Sequence, residues 1–598
     1  MSRRLPPCRK QVQSRYYLKI LVSAFRTSVA RVRVIRHMRT LVPLQRFSLF
    51  PRYIFVTQKS IHRLYFFCCI YNLVSVVQTN TNKHTHTRQY HKSMSGSGGR
   101  VKPLYDVLIA GGGVTGSALA NRLMTANVIG GDKKIGIIDA AAKVSPSLKS
   151  SNVPNPRAYA LSPSSLRTLG RSVFDKLRRE EKLGVYESMQ VWESDGPGML
   201  MFHSDDIQDL VGSGNDFGGM DLSHMLGAVV EDQAIVRALH ESLESEYSEN
   251  IDFIRGAKVT QVKSPSSTSD HSDDDFVRVV YKEEGNNTEN EISTRLLVAA
   301  DGGNSFVRNA LEIDTMSFDY KRKAIICTIR VDDVQGNASN TAFQRFFPNG
   351  PIALLPTHND EYANIVWSTT HEEASRLMDH NETSTEKFVE ELNALLQAGP
   401  CLSPPLLTKE MEGSLPPFLL GAVRGLENIG QSLGSGLALA TSMNGTEAFR
   451  FPPIVKAIEG RRFAFDLKLQ HARSYISSRV ALVGDSAHTI HPMAGQGLNL
   501  GLADAESLTK FLKIAVNSGS DIGDINSLQM YDCERRKAVV GMMSGIHLLH
   551  ESFSVQSPPL VYFRSIGMNF VNVASPIRKT LAHAAAGNAG ASVENYVS

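Results

Sequence analysis

Tyr105-Asp-Val-Leu-Ile-Ala110, then Gly111-Gly-Gly-Val-Thr-Gly116, then Ser117-Ala-Leu-Ala-Asn-Arg-Leu123 is the stretch that decides the fold. An apolar run of strand length leads into a glycine turn, and helical periodicity follows. Gly111, Gly113 and Gly116 satisfy the G-x-G-x-x-G spacing: the first permits a tight turn, the second lets backbone approach a pyrophosphate, and the third packs helix on strand. The free N–H groups of the helix start then face the phosphates. A second strand, Lys134-Ile-Gly-Ile-Ile-Asp139, ends in an acid 23 residues after Gly116. Asp139 is therefore placed for ribose hydroxyls, and strand, turn, helix and acid together predict a dinucleotide-binding α/β unit.

Two later segments enlarge the nucleotide. Leu296-Leu-Val-Ala-Ala300 reads as a buried strand running into Asp301-Gly302-Gly-Asn-Ser-Phe-Val-Arg308, and Arg479-Val-Ala-Leu-Val-Gly484-Asp485 as another, continuing through His488 and His491 to Gly495-Gln-Gly497-Leu-Asn499 and a helix. A dehydrogenase that binds only a nicotinamide cofactor needs neither. Three separated segments converging on one ligand suit FAD, which has a ribityl chain and a ring to place. Asp485 at a strand end can accept from ribityl hydroxyls. The helix opening at Gly495 to Gly497 can point its N–H groups at the flavin edge that becomes anionic on reduction. Only one complete G-x-G-x-x-G is present, so no second dinucleotide domain is expected; Gly434-Ser-Gly436 lacks a strand and a third glycine.

Charge divides the chain. Residues 1–100 hold 19 Lys and Arg and no Asp or Glu, leaving 45 basic and 59 acidic side chains in the rest. The basic, Ser-rich, acid-free leader has the composition of a mitochondrial presequence, and Met1, Met38 and Met94 are alternative starts. Its apolar stretch Leu64 to Gln78 has 15 residues, short of the roughly 20 that a membrane helix needs. The acidic body excludes a general nucleic-acid binder. Cys327, Cys401 and Cys533 are isolated, which gives neither a disulfide framework nor a zinc site. His203 with Asp205 and Asp206 lacks metal-ligand spacing, so no metal is expected. Asn286-Asn-Thr and Asn337-Ala-Ser match the glycosylation pattern, which a protein of the mitochondrial matrix would not use.

The three FAD segments, in this order, resemble the aromatic-hydroxylase group of flavoprotein monooxygenases. Pro156-Arg157-Ala-Tyr-Ala-Leu-Ser162 with Leu169-Gly170, His491 to Asn499, and Ala582 to Gly587 are similar to its ubiquinone-biosynthesis branch. Phe343 to Pro356 and Val366-Trp-Ser-Thr-Thr-His-Glu372 are similar to the mitochondrial ring hydroxylases of that branch. The resemblance covers about residues 104–590 and leaves out 263–290 and 400–460.

It implies an α/β fold in which a Rossmann-like FAD domain (104–185, 225–320, 470–545) is interleaved with a mainly antiparallel β-sheet substrate domain (186–224, 321–469). A C-terminal helical segment (546–598) follows the leader-free body. It implies FAD contacts from Gly111, Gly113, Gly116, Asp139, Arg157, Asp301, Gly302, Gly484, Asp485, Gly495, Gly497 and Asn499. Relatives place Asn or Gln beside the ring; here Asp232 and Gln233 are available, and Gln233 suits an anionic reduced flavin better. Phe465-Asp466-Leu467 stands where relatives have Phe-Pro-Leu. No catalytic side chain is assigned, because the flavin carries the oxidant.

The implied substrates are a polyprenylated phenol of the 4-hydroxybenzoate type and O2. The electron donor is a ferredoxin-type protein or NAD(P)H. Other ubiquinone-biosynthesis proteins in a complex and a peripheral contact with the matrix side of the inner membrane complete the implied partners. A kynurenine-type hydroxylase and a non-catalytic FAD scaffold are the alternatives. Phe343, Phe347, Pro351 and Trp367 are candidates for a chamber lining and equally for core. Arg308 either bridges to the nucleotide region or pairs with an acid. The apolar tail 559–587 either covers the core or rests on a membrane.

Overall fold

A computed structural model describes residues 104–142, 152–208, 220, 222–265, 276–285, 288–333, 340–401, 449–491 and 495–586. The leader, both glycosylation patterns, the Gly434 turn and most of the acidic stretch 264–275 lie outside the described residues.

From β1 (Leu104–Ala110) the chain passes through α1 (Val114–Thr125), β2 (Ile135–Asp139) and α2 (Asp232–Glu246) to β3 (Glu289–Ala299). It then forms two long strands, β4 (Thr315–Asp332) and β5 (Ile454–Ala472), and returns as β6 (Val480–Leu482). Four helices close it: α3 (Gly497–Asn517), α4 (Ile525–Ser554), α5 (Pro558–Val573) and α6 (Ser575–Ala585).

The first sheet has β6, β3, β1, β2 and Ile251–Arg255 side by side and parallel. Strands buried on both faces read as unbroken apolar runs, and Val107, Leu108, Ile109, Ile135, Ile137, Leu296, Leu297 and Val298 are all fully buried. Each such side chain contributes about 1.5–3 kcal/mol. Strands Ala257–Lys263 and Val277–Glu283 pair antiparallel with each other, and the second pairs antiparallel with β3.

The second sheet is built around β4 and β5, which pair along most of their 18 and 19 residues. Beside β4 come Tyr362–Thr370, Ile352–Pro356, Thr341–Phe346, Ser188–Glu193 and Met199–His203, all antiparallel except the Thr341–Phe346 to Ser188–Glu193 pair. One face packs against helices His371–Leu377 and Glu382–Gln397, burying Ile325, Cys327, Phe343, Ile365, Trp367 and Phe388. Phe343 and Trp367 are therefore core of that layer. Burial pushes the Cys327 thiol up to about 12, so it is inert at neutral pH.

The opposite face carries Thr328 and Asn364. The Thr328 hydroxyl donates to the Pro154 carbonyl (2.8 Å) and the Asn364 amide to the Asn155 carbonyl (3.2 Å), just ahead of Arg157. On this face Ile326 is paired with Val366 and Phe463, and Ala324 with Phe465. Phe463 and Phe465 are 52% and 43% exposed and continue this face as an apolar wall.

Candidate active site

The dinucleotide turn is built by steric necessity. Gly111 has φ +112°, and a Cβ there would meet the Ala300 carbonyl oxygen at 2.2 Å; at Gly116 it would meet the Gly111 oxygen at 2.0 Å. Gly113 is different: a Cβ would find nothing within 4 Å, so the space in front of α1 is open. Gly113 is also the N-cap of α1 and provides no side-chain cap. The first N–H groups of the helix thus face an open cradle of the kind that takes a pyrophosphate. Asp139 ends β2 with a carboxylate oxygen 2.6 Å from where a Gly112 Cβ would lie, so it stands at the lip of that cradle. His240 of α2 braces the turn from below, with Nε2 2.9 Å from the Gly112 carbonyl and 3.1 Å from the Ser117 hydroxyl.

The other two segments meet at Ser486. The Asp301 carboxylate accepts from Phe306 N–H (2.7 Å) and Val307 N–H (3.2 Å), capping the short helix Phe306–Ala310, and from the Ser486 hydroxyl (3.0 Å). Ser486 Oγ accepts in turn from Gly302 N–H at 3.0 Å. Arg308 is buried and donates to the Ser486 and Gly303 carbonyls, both at 2.8 Å. Arg308 therefore bridges the two loops through their backbones. Both Asp301 oxygens are engaged within the protein, which makes that residue a positioning group in this geometry.

Asp485 follows Gly484, whose φ is +60°. Its side chain is open to solvent yet has protein on nearly every side, as a carboxylate on the floor of a cleft does. Desolvation pushes its pKa up, against the pull of the cations Lys468 and Arg157. Arg157 enters from the other wall, 3.4 Å from Asp232, and that carboxylate holds the guanidinium above its ordinary range. The structure thus couples Asp232 to Arg157 and leaves Gln233 exposed in the first turn of α2.

Beneath the Gly484 turn lies a buried ionic group. Asp504 of α3 accepts from Gly484 N–H (2.9 Å), His488 Nε2 (2.6 Å) and Arg535 Nε of α4 (2.7 Å). Burial pushes the Asp504 carboxyl up, but His488 and Arg535 outweigh it and hold the pKa below its usual value. His488 is thereby a positioning residue. Asn499 is fully engaged as well: its oxygen accepts from Ser162 N–H (3.1 Å) and the Ser165 hydroxyl (2.6 Å), and its nitrogen donates to the Ala160 and Gly495 carbonyls (2.9 and 3.0 Å). It ties the Arg157 segment to the start of α3. Gly495 (φ +62°) and Gly497 open α3, whose N-cap Gln496 provides no side-chain cap. Gln496 instead donates to the Ala585 carbonyl of α6 at 3.0 Å.

Sequence reasoning missed Asp504, Arg535, Ser486 and His240. Asp504 left one signal, an acid on the buried side of α3 between Leu500, Leu502, Ala505 and Leu508.

An open cradle at one uncapped helix start, an acid at each of two strand ends and a second uncapped helix start fit FAD. Residues 104–400 and 448–545 match the model of the FAD binding domain family; the chain belongs to that family and is a flavin-dependent monooxygenase. It is 30% identical over 490 residues to the protein named ubiquinone biosynthesis monooxygenase COQ6, mitochondrial, of Homo sapiens, covering 81% of this chain and 93% of that one. The protein of the same name from Caenorhabditis elegans is 31% identical over 481 residues, covering 80% and 94%. Among solved structures, p-nitrophenol 4-monooxygenase PnpA from Pseudomonas putida DLL-E4 superposes with a TM-score of 0.55 at 15% identity, over 81% of this chain and 99% of that chain. At that identity the likeness concerns the fold.

Proposed function

We propose that the protein hydroxylates the aromatic ring of a polyprenyl-4-hydroxybenzoate-type intermediate of ubiquinone biosynthesis, at the matrix side of the mitochondrial inner membrane. The observation that carries this is the relationship to ubiquinone biosynthesis monooxygenases over 490 residues, 81% of this chain.

Bound FAD supplies the activation of O2. The chain's own residues bind and orient it. Gly111, Gly113 and Gly116 with the start of α1 receive the pyrophosphate. Asp139 takes ribose hydroxyls, and Asp485 takes the ribityl chain. Gly495 and Gly497 present the start of α3 to the ring edge, where fixed N–H dipoles favour negative charge. Asp301, Gly302 and Asn499 hold these loops in register. Arg157 stays cationic beside Asp232 and keeps a positive charge over the cleft. Gln233, one residue on from Asp232, is the neutral group available to the ring.

The apolar wall of Ile326, Val366, Phe463 and Phe465 excludes water and receives a phenolic ring or the first part of a prenyl chain. Electrons come from a ferredoxin-type donor or NAD(P)H, and other ubiquinone-biosynthesis proteins are the assembly partners.

Expression in a mutant blocked at ubiquinone ring hydroxylation tests the reading. Restored ubiquinone and disappearance of the accumulated prenylated ring intermediate in lipid extracts are expected. Loss of rescue with Asp485→Ala ties the effect to the flavin site. A yellow, FAD-loaded protein that restores neither would overturn the assignment.

A further inference from the structure

Arg157, Tyr159 and Asp232 rise from one face of a two-stranded ladder. Strands Ala158–Leu161 and Gly227–Glu231 pair antiparallel, with Ala158 opposite Glu231 and Tyr159 opposite Val230. The ladder runs one step further, since Asp232 N–H donates to the Arg157 carbonyl at 3.0 Å. Residues two apart on a strand share a face, so Arg157 and Tyr159 project together, with Asp232 across from Arg157. The mount is fixed at three points. Asn155 Oδ1 accepts from Arg157 N–H at 2.9 Å, Glu231 accepts from Asn155 N–H at 3.2 Å, and the Ala160 carbonyl accepts from the Asn499 side chain at 2.9 Å. The Tyr159 ring packs against the buried cluster that includes Val114 of α1 and Leu502 of α3. Its hydroxyl is left within hydrogen-bonding reach of the Arg157 guanidinium, and Asp485 acts on both side chains. Arg157 is thus a cation offered to two carboxylates: Asp232 at 3.4 Å, which dominates, and Asp485, whose pull is weaker.

We propose that Tyr159 is a positioning residue of the flavin site: with Asp232 it holds the Arg157 guanidinium against its own wall, so that the Asp485 carboxylate stays free for the ribityl hydroxyls. The Arg157 side chain is 69% exposed, so packing alone does not hold it. A long cation free to turn in a cleft pairs with the most desolvated carboxylate in reach, because a charge short of water gains most from a partner. Asp485, on the cleft floor with its charge penalised by desolvation, is that carboxylate. A guanidinium settled on it occupies the lone pairs that the ribityl chain needs. Asp232 supplies the competing charge. The Tyr159 hydroxyl supplies a competing acceptor, its direction set by the packed ring. Burial and Asp232 push the Tyr159 phenol up, so it stays neutral. It accepts from Arg157 without adding another negative charge to a cleft that takes an anionic cofactor. The inference rests on Asp485 as the ribityl acceptor.

The test is FAD release from the loaded protein on serial dilution, followed by flavin fluorescence. Tyr159→Phe and Asp232→Asn keep volume and shape. Both are expected to weaken FAD binding, roughly threefold to tenfold for Tyr159→Phe and about tenfold for Asp232→Asn. The sign is diagnostic, because taking a carboxylate out of a cleft that binds an anion tightens binding by simple electrostatics. A double-mutant cycle separates positioning from packing. In an Arg157→Met background neither change should alter FAD release, whereas a loss of packing or folding would persist there. Tighter or unchanged FAD binding in Asp232→Asn, an unaltered Tyr159→Phe, or effects of the same size in the Arg157→Met background overturns the proposal. An Asp485→Ala variant that holds FAD as tightly as wild type overturns the ribityl assignment itself, and that result is read with Arg157, Tyr159 and Asp232 untouched.

Discussion

Asp504 shows how much a single buried charge can organise. It lies on α3, yet its two oxygens reach Gly484 and His488 of the loop after β6 and Arg535 of α4. Replacing it with Asn keeps the shape and removes the charge, which leaves Arg535 buried with no counter-ion. Breaking a buried pair from one side costs about 3–5 kcal/mol. Asp504→Asn is therefore expected to lower the denaturation midpoint by that measure and to release FAD on dilution, followed by flavin fluorescence. Unchanged FAD retention would remove Asp504 from the positioning of Asp485. The glycines and the acids at strand ends were legible in the sequence because their chemistry is local: a turn, a spacing, a strand end. The Asp504 group was not, because its four members only become neighbours once α3 and α4 pack under β6.

Strands and helices carry the next lesson. In the substrate sheet, Glu187–Glu193, Ala342–Phe347, Ile352–Leu355, Asn364–Ser368 and the stretch Ala324–Val331 of β4 read as strands from their apolar runs, whereas β5, the longest described strand, does not. Its partner β4 shows register shifts at Asp319/Lys323, Ile326/Thr328 and Arg330/Val331, and Gly460 in β5 has φ +76°. Each shift resets the period-2 alternation that sequence reading depends on. The tail was equally ambiguous, since apolar residues occur on both sides of α5, and only its partners reveal which side faces in: Asn569 and Asn572 accept from the N–H groups of Met199 and Met201 at 3.0 and 2.9 Å, and Arg564 pairs with the fully buried Glu193. Those asparagines also occupy backbone N–H groups of Met199–His203, an edge strand that would otherwise offer them to another chain. Arg564→Met strands the Glu193 carboxylate and is expected to destabilise the protein by about 3–5 kcal/mol. Glu193→Gln added to it recovers part of that loss. Equilibrium denaturation of the single and double variants measures both.

For the whole molecule, the distribution of histidines sets the response to acid. Burial lowers the pKa of His471 to about 4 and of His491 to about 3 and also depresses His240 and His550. The unfolded chain, with ordinary histidines, binds more protons below pH 6.5. Stability is therefore complete above that pH and is lost as pH falls from 6.5 toward 4 and 3, on the order of 2 kcal/mol for each of His471 and His491 by pH 5. Thermal melts are expected to show a steep fall in Tm between pH 7 and 5, and His471→Gln should flatten it. An unchanged slope would mean that His471 is not buried neutral.

The position of β6 has a further consequence, for the order in which the chain is made. The Gly111 turn leaves the ribosome early, but the parallel sheet behind it is incomplete until β6 arrives beside β3, some 370 residues later. Asp485, Asp504 and Arg535 emerge later still. The cofactor site is thus among the last parts of this protein to exist, and a chain cut just ahead of β6 has already made most of its residues without acquiring a place to hold its flavin.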